Sequence, residues 1–124
     1  MKFEAFDTAM RALPGVTLDI KWETHRTFCV GDKMFVMAGD LGDEEPRYMF
    51  KASELGFEML VESGAATPAP YLGRAKWVIM AAPDSLEDAD LVAYATQAHA
   101  IVAGKLPKRV RVGLGIGGQI PIAT

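Results

Sequence analysis

Few residues in this 124-residue chain could do covalent or acid–base chemistry near neutral pH. There are two histidines, His25 and His99, and one thiol, Cys29. On a strand over 25–30, His25 and Cys29 would share a face but stand ~13 Å apart at ~3.3 Å per residue. That separation rules out a direct thiol–imidazole pair, and Cys29 reads as a small buried hydrophobe. His99 follows Ala98 and precedes Val102 on a helical pattern, which assigns it to packing. A metal centre would need further ligands that the spacing does not supply. The acids Asp40, Asp43, Glu44 and Glu45 match no calcium-loop spacing and read as a solvated hairpin tip. The glycines of GLGIGGQ lack the strand, helix and βαβ unit of a dinucleotide fingerprint. The expectation is a protein that is not an enzyme, with no cofactor and no metal.

Binding chemistry has more support. Lys105, Lys108, Arg109 and Arg111 fall within seven residues directly after a helical segment. Such cations suit a helix C-terminus, and they also suit phosphates. Lys33, Arg47 and Lys51 spread over strands and a hairpin; alternation puts Arg47 and Lys51 on one face, with Tyr48 and Phe50 on the other. Together these seven are the candidate contacts to nucleic-acid phosphates, with aromatic rings available to stack on bases. A second candidate patch is aromatic and basic: Lys21, Trp22, Tyr71, Arg74 and Trp77, to which Lys76 is adjacent. Arginine beside an aromatic wall suits a planar or anionic group of a small ligand or a protein partner. The formal net charge of −3 excludes nucleic-acid binding by bulk charge, so any such contact must come from a local patch.

The elements that must position these residues are short. Phe3, Phe6, Met10 and Leu13 mark one face of a first helix, closed by Pro14-Gly15. From Val16 to Lys51 the pattern is three or four antiparallel strands, with a tight hairpin at Gly31-Asp32-Lys33 and a loop at 39–46. Ser53 is placed to cap a second helix whose buried face would be Leu55, Met59 and Leu60, ending at Gly64. The proline-rich 65–73 would run extended over the surface or an edge, followed by a strand over 75–81. Ser85, with Glu87 and Asp88, is a start signal for a third helix lined by Leu91, Ala95, Ala98 and Val102 and ending at Gly104. The order α-β-β-β-α-β-α implies an α+β, two-layer sandwich with helices packed on a mainly antiparallel sheet. One domain spans 1–111, and 112–124 is a Gly-rich C-terminal tail. A single cysteine excludes an internal disulfide, and no apolar run reaches the ~18 residues of a membrane span. The expected setting is cytoplasmic, as a monomer or weak homodimer.

Several uncommon segments occur in one order: Leu13-Pro14-Gly15, Lys21-Trp22, Phe28 through Phe35, Phe50-Lys51, Pro68 through Val78, and Lys105 through Arg111. This set resembles the MmcQ/YjbR family of small bacterial proteins from about Phe3 to Arg111. Where many members have Ser-Tyr in the last helix, this chain has Ala98-His99, and its tail is longer. The resemblance implies a two-layer α+β fold of the frataxin (CyaY) or secretion-chaperone type. It also implies DNA binding through a double-wing motif, whose wings would be the hairpin at Gly31-Asp32-Lys33 and the 39–46 loop.

Overall fold

The structure is a computed structural model that describes residues 1–21, 25–39 and 45–116, without the side chains of 20, 21 and 25. Helix α1 (Phe3–Arg11) is followed by a four-stranded meander, β1 (Val16–Lys21), β2 (His25–Val30), β3 (Lys33–Gly39) and β4 (Arg47–Lys51). Then come α2 (Glu54–Ser63), β5 (Ala66–Pro68), β6 (Trp77–Met80), α3 (Asp88–Gly104) and α4 (Lys108–Gly113). The strands form one antiparallel sheet in the order β1-β2-β3-β4-β6-β5. The helices cover one of its faces, giving the expected α+β two-layer architecture, with a fourth strand in the meander, a short edge strand and one more short helix than the order α-β-β-β-α-β-α.

Local chemistry explains each turn that matters. The β2–β3 hairpin turns on Gly31 (φ 56°) and Asp32 (φ 64°), with Val30 opposite Lys33. Two consecutive positive φ values make the type I′ geometry whose twist matches a hairpin. Between Phe28/Cys29 and their partners the register shifts, leaving Phe35 as an extra residue on β3. The bulge lets the consecutive Phe35 and Val36 both be buried, which strict alternation forbids. Ser53 accepts a hydrogen bond from the Gly56 N–H at 3.0 Å, and Gly64 (φ 79°) closes α2, as both residue types predict.

The core joins Phe6 and Met10 of α1, Phe28, Val36, Tyr48, Phe50, Val78 and Met80 of the sheet, Leu60 of α2, and Leu91, Ala95 and Ala98 of α3. Phe6 packs on Tyr48 with ring centroids 4.1 Å apart and edge-on to Phe28 at 5.6 Å. The Tyr48 hydroxyl donates to the Met1 carbonyl at 3.0 Å, and burial, then the nearby Glu45 carboxylate, raises its pKa and keeps it neutral.

Three expectations change. Leu55 and Met59 of α2 are 55 % and 54 % exposed; the inward face carries the expected Leu60 together with Gly56. A Cβ on Gly56 would lie in ordinary contact with the Tyr94 ring at 3.6 Å and Gln97 Oε1 at 3.7 Å, and tightly against the Ser53 Oγ of the helix cap at 3.0 Å. Helix α3 begins at Asp88, because the Ser85 hydroxyl donates to the Ala82 carbonyl in a turn of its own. The proline-rich segment runs extended at an edge as expected: Ala66–Pro68 pairs with Met80–Val78 as an edge strand, where proline's missing N–H costs nothing. Finally, Val112 and Gly113 belong to α4, and Leu114 and Ile116 pack on the core. Residues 117–124 lie outside the described residues.

Candidate functional site

Strand direction sorts the charged residues into two ends. Strand β3 leaves the Gly31-Asp32 turn at Lys33 and reaches the other end of the sheet at Gly39, opposite Arg47. Strand β4 returns to the turn end at Lys51, which pairs with Trp77 at the start of β6. Helix α3 starts at the far end, where Asp88 and Glu45 lie 3.5 Å and 3.4 Å from the N-terminal ammonium, and finishes at the turn end. A Cβ on Gly31 would come within 2.6 Å of Leu106, so the hairpin turn sits directly against the α3–α4 connection. Lys33, Lys51, Lys105, Lys108 and Arg109 are thereby gathered at one end of the sandwich.

Two of them, Lys51 and Lys105, border a cleft of about 930 Å³. Its rim is the end of β4, the first turn of α2, the 3₁₀ turn Gly73–Ala75 and the last turn of α3. Lys51, Arg74, Lys76 and Lys105 line it, with the carboxylates Glu54 and Glu58. Leu55, Ala75, Ala100 and Ile101 supply an apolar wall. No salt bridge among the described residues engages any of the four cations. The Lys51 ammonium donates to the Ala75 carbonyl. Desolvation lowers its pKa first, then the like charges of Lys105 and Lys76, while Glu54 acts in the opposite sense. Lys76 adopts a left-handed conformation (φ 64°) and sits 4.8 Å from the Phe57 ring centroid. A non-glycine residue held there costs about 1–2 kcal/mol, strain that tends to collect at binding sites.

The seven cations expected to meet phosphates therefore divide. Lys33, Lys105, Lys108 and Arg109 are exposed at the turn end, and Lys51 is half-buried at the cleft. Arg47 stands at the far end of the sheet beside Glu45, with its Nε buried and without a hydrogen-bond partner among the described residues. Arg111 Nε is buried in the same way. The aromatic patch is spread out. Lys21 closes β1 at one edge of the sheet, while Tyr71 and Arg74 belong to the β5–β6 connection at the other, five strand spacings or ~24 Å away. Trp77 is 6 % exposed, Tyr71 is fully exposed with φ 65°, and Trp22 lies outside the described residues. Of the described residues of this patch, only Arg74 lines the cleft.

The apolar wall and the meeting of Lys76 with Lys51 and Lys105 were hidden in the sequence. One signal was available: Leu55, Phe57, Met59, Leu60 and Val61 are more apolar residues than one face of α2 can bury. Some had to be exposed, and Leu55 is exposed at the cleft. His99 is 5 % exposed, with its Nε2–H donating to the Pro14 carbonyl at 2.8 Å and its ring edge-on to Phe35 at 5.3 Å. Burial lowers its pKa. Cys29 is half-buried, and no group of three or more metal-ligating side chains occurs among the described residues. Nor is any described helix long and apolar enough to cross a membrane.

The comparisons with known proteins agree with this fold. No curated protein matches the chain. The crystal structure of Deinococcus radiodurans protein DR2400, with domain DUF419, superimposes with a TM-score of 0.80 at 18 % identity, covering 99 % of this chain and 91 % of that one. The YjbR family model matches residues 11–101. With that match spanning most of the sequence, the chain belongs to the YjbR family.

Proposed function

We propose that the protein is a DNA-binding module of the cytoplasm that carries out no catalysis and holds the phosphate backbone with the turn end of its sandwich. The observation that supports this reading is the segregation of charge. Lys33, Lys51, Lys105, Lys108 and Arg109 share one end without a salt-bridge partner among the described residues, although the chain as a whole is acidic. A local basic end on an acidic body orients the molecule toward a polyanion and keeps its other surfaces away. The Gly31-Asp32 turn would be the single wing in contact. The strand ends that flank the second expected wing, Gly39 and Arg47, stand at the opposite end of the sheet from that turn.

The test is fluorescence anisotropy of a random labelled duplex at ~50 and ~200 mM salt. If about five phosphates are neutralised, log affinity falls with log salt at a slope of about −4.5, or roughly 500-fold between these conditions. Absence of binding at the lower salt, or binding indifferent to salt, would refute the reading.

A further inference from the structure

We infer that the cleft at the turn end is a binding site for a compact organic phosphate, overlapping the DNA-contacting surface at Lys51 and Lys105 but needing Arg74 and Leu55 as well. Its volume of about 930 Å³ is that of a small-molecule site, within the usual ~300–1,000 Å³. A duplex backbone lies across a surface and needs no such depth. The lining combines two chemistries. Lys51, Arg74, Lys76 and Lys105 approach from the strand ends, the 3₁₀ turn and the α3 terminus, and outnumber the carboxylates Glu54 and Glu58. Leu55, Ala100 and Ile101 face the same space and offer nothing to a bare inorganic anion.

Two of the four cations, Lys51 and Lys76, are held in place. Lys51 is anchored on the Ala75 carbonyl, and the Ala52 N–H donates to the Lys76 carbonyl at 2.8 Å, fixing the two lysines in register. Lys76 is locked by its left-handed backbone and its place over Phe57. Like charges brought this close repel one another, and a dianionic phosphate relieves that repulsion while accepting charge-assisted hydrogen bonds. Leu55 then has a reason to be exposed: it covers the organic body of the ligand. The site shares Lys51 and Lys105 with the proposed DNA surface but does not rest on it.

Calorimetric titration of the full chain with pyrophosphate, ATP and fructose 1,6-bisphosphate tests this. ATP or the sugar bisphosphate should bind, and whichever binds more tightly names the organic body. Arg74→Ala and Lys105→Ala, both at exposed positions, should each weaken that binding about tenfold. Leu55→Ala should weaken the organic phosphate about threefold and leave pyrophosphate unchanged. Lys108→Ala/Arg109→Ala should weaken duplex DNA and spare the small ligand. Failure of both organic phosphates at millimolar concentration would overturn the inference, as would binding insensitive to Arg74→Ala or pyrophosphate binding as tightly as either. Duplex binding without small-ligand binding would remove this site alone; the reverse would remove the DNA reading alone.

Discussion

Replacing Gly31 by alanine strains the hairpin and its contact with the α3–α4 connection together. The backbone cost comes first: Gly31 sits at φ 56°, and an L-residue in the left-handed region costs about 1–2 kcal/mol. The second cost is steric. The new Cβ would lie 2.6 Å from Leu106 Cδ1 and 3.0 Å from Cδ2, closer than carbon atoms approach. Leu106 is 8 % exposed and part of the core, so its side chain must leave a packed rotamer, at about 1–3 kcal/mol. The sum is about 2–5 kcal/mol, a large part of the stability of a domain this size. Urea unfolding followed by circular dichroism measures it as a fall in midpoint at unchanged slope. A double-mutant cycle with Leu106→Ala separates the two costs: the steric part should vanish in the double mutant, giving a coupling energy of about 1–3 kcal/mol. A Gly31→Ala protein within about 0.5 kcal/mol of the parent would refute both the turn geometry and the contact.

Three further outcomes follow from the same structure. His99 binds a proton less readily folded than unfolded, because burial lowers its pKa below 6.5. Stability should therefore be full above about pH 6.5 and fall as the pH drops below it, through the folded pKa; His99→Gln should lose that slope, as read by thermal melts across pH 7 to 5. Leu114→Ala should cost about 1–2 kcal/mol in chemical unfolding, since Leu114 packs on the core and lies against Gly15. Asp32→Gly should leave stability within about 0.5 kcal/mol of the parent, because relief at φ 64° is offset by a freer unfolded chain.

The residues most legible in the sequence were those whose local chemistry is decisive. Gly31-Asp32 made a hairpin, Ser53 and Gly64 bounded α2, and Phe6 and Met10 faced inward, because each depends on neighbours a few positions away. What stayed hidden depends on tertiary placement. Leu55 and Met59 fit an apolar stripe as well as Leu60 does, and only the packing of α2 on the rest of the fold decides which of them is buried. Ser85 carried a cap signal equal to that of Ser53, but its hydroxyl found the Ala82 carbonyl. The candidate site shows the same division. Lys105, Lys108 and Arg109 were visible as a run, whereas the convergence of Lys51, Arg74 and Lys76 on that run depends on the antiparallel return of β4 and the start of β6. Arg47 looked equivalent to Lys51 on the strand, and strand direction alone sends it to the other end.

That separation provides the most direct measurement of the central claim, a comparison of duplex affinity and salt slope between two variants. Lys105→Ala/Lys108→Ala/Arg109→Ala should flatten the slope by about 2.7 and weaken binding at ~50 mM salt at least tenfold, whereas Arg47→Ala should stay within about twofold of the parent. Equal losses in the two proteins, or a loss confined to Arg47→Ala, would contradict the assignment of the phosphate contacts to the turn end.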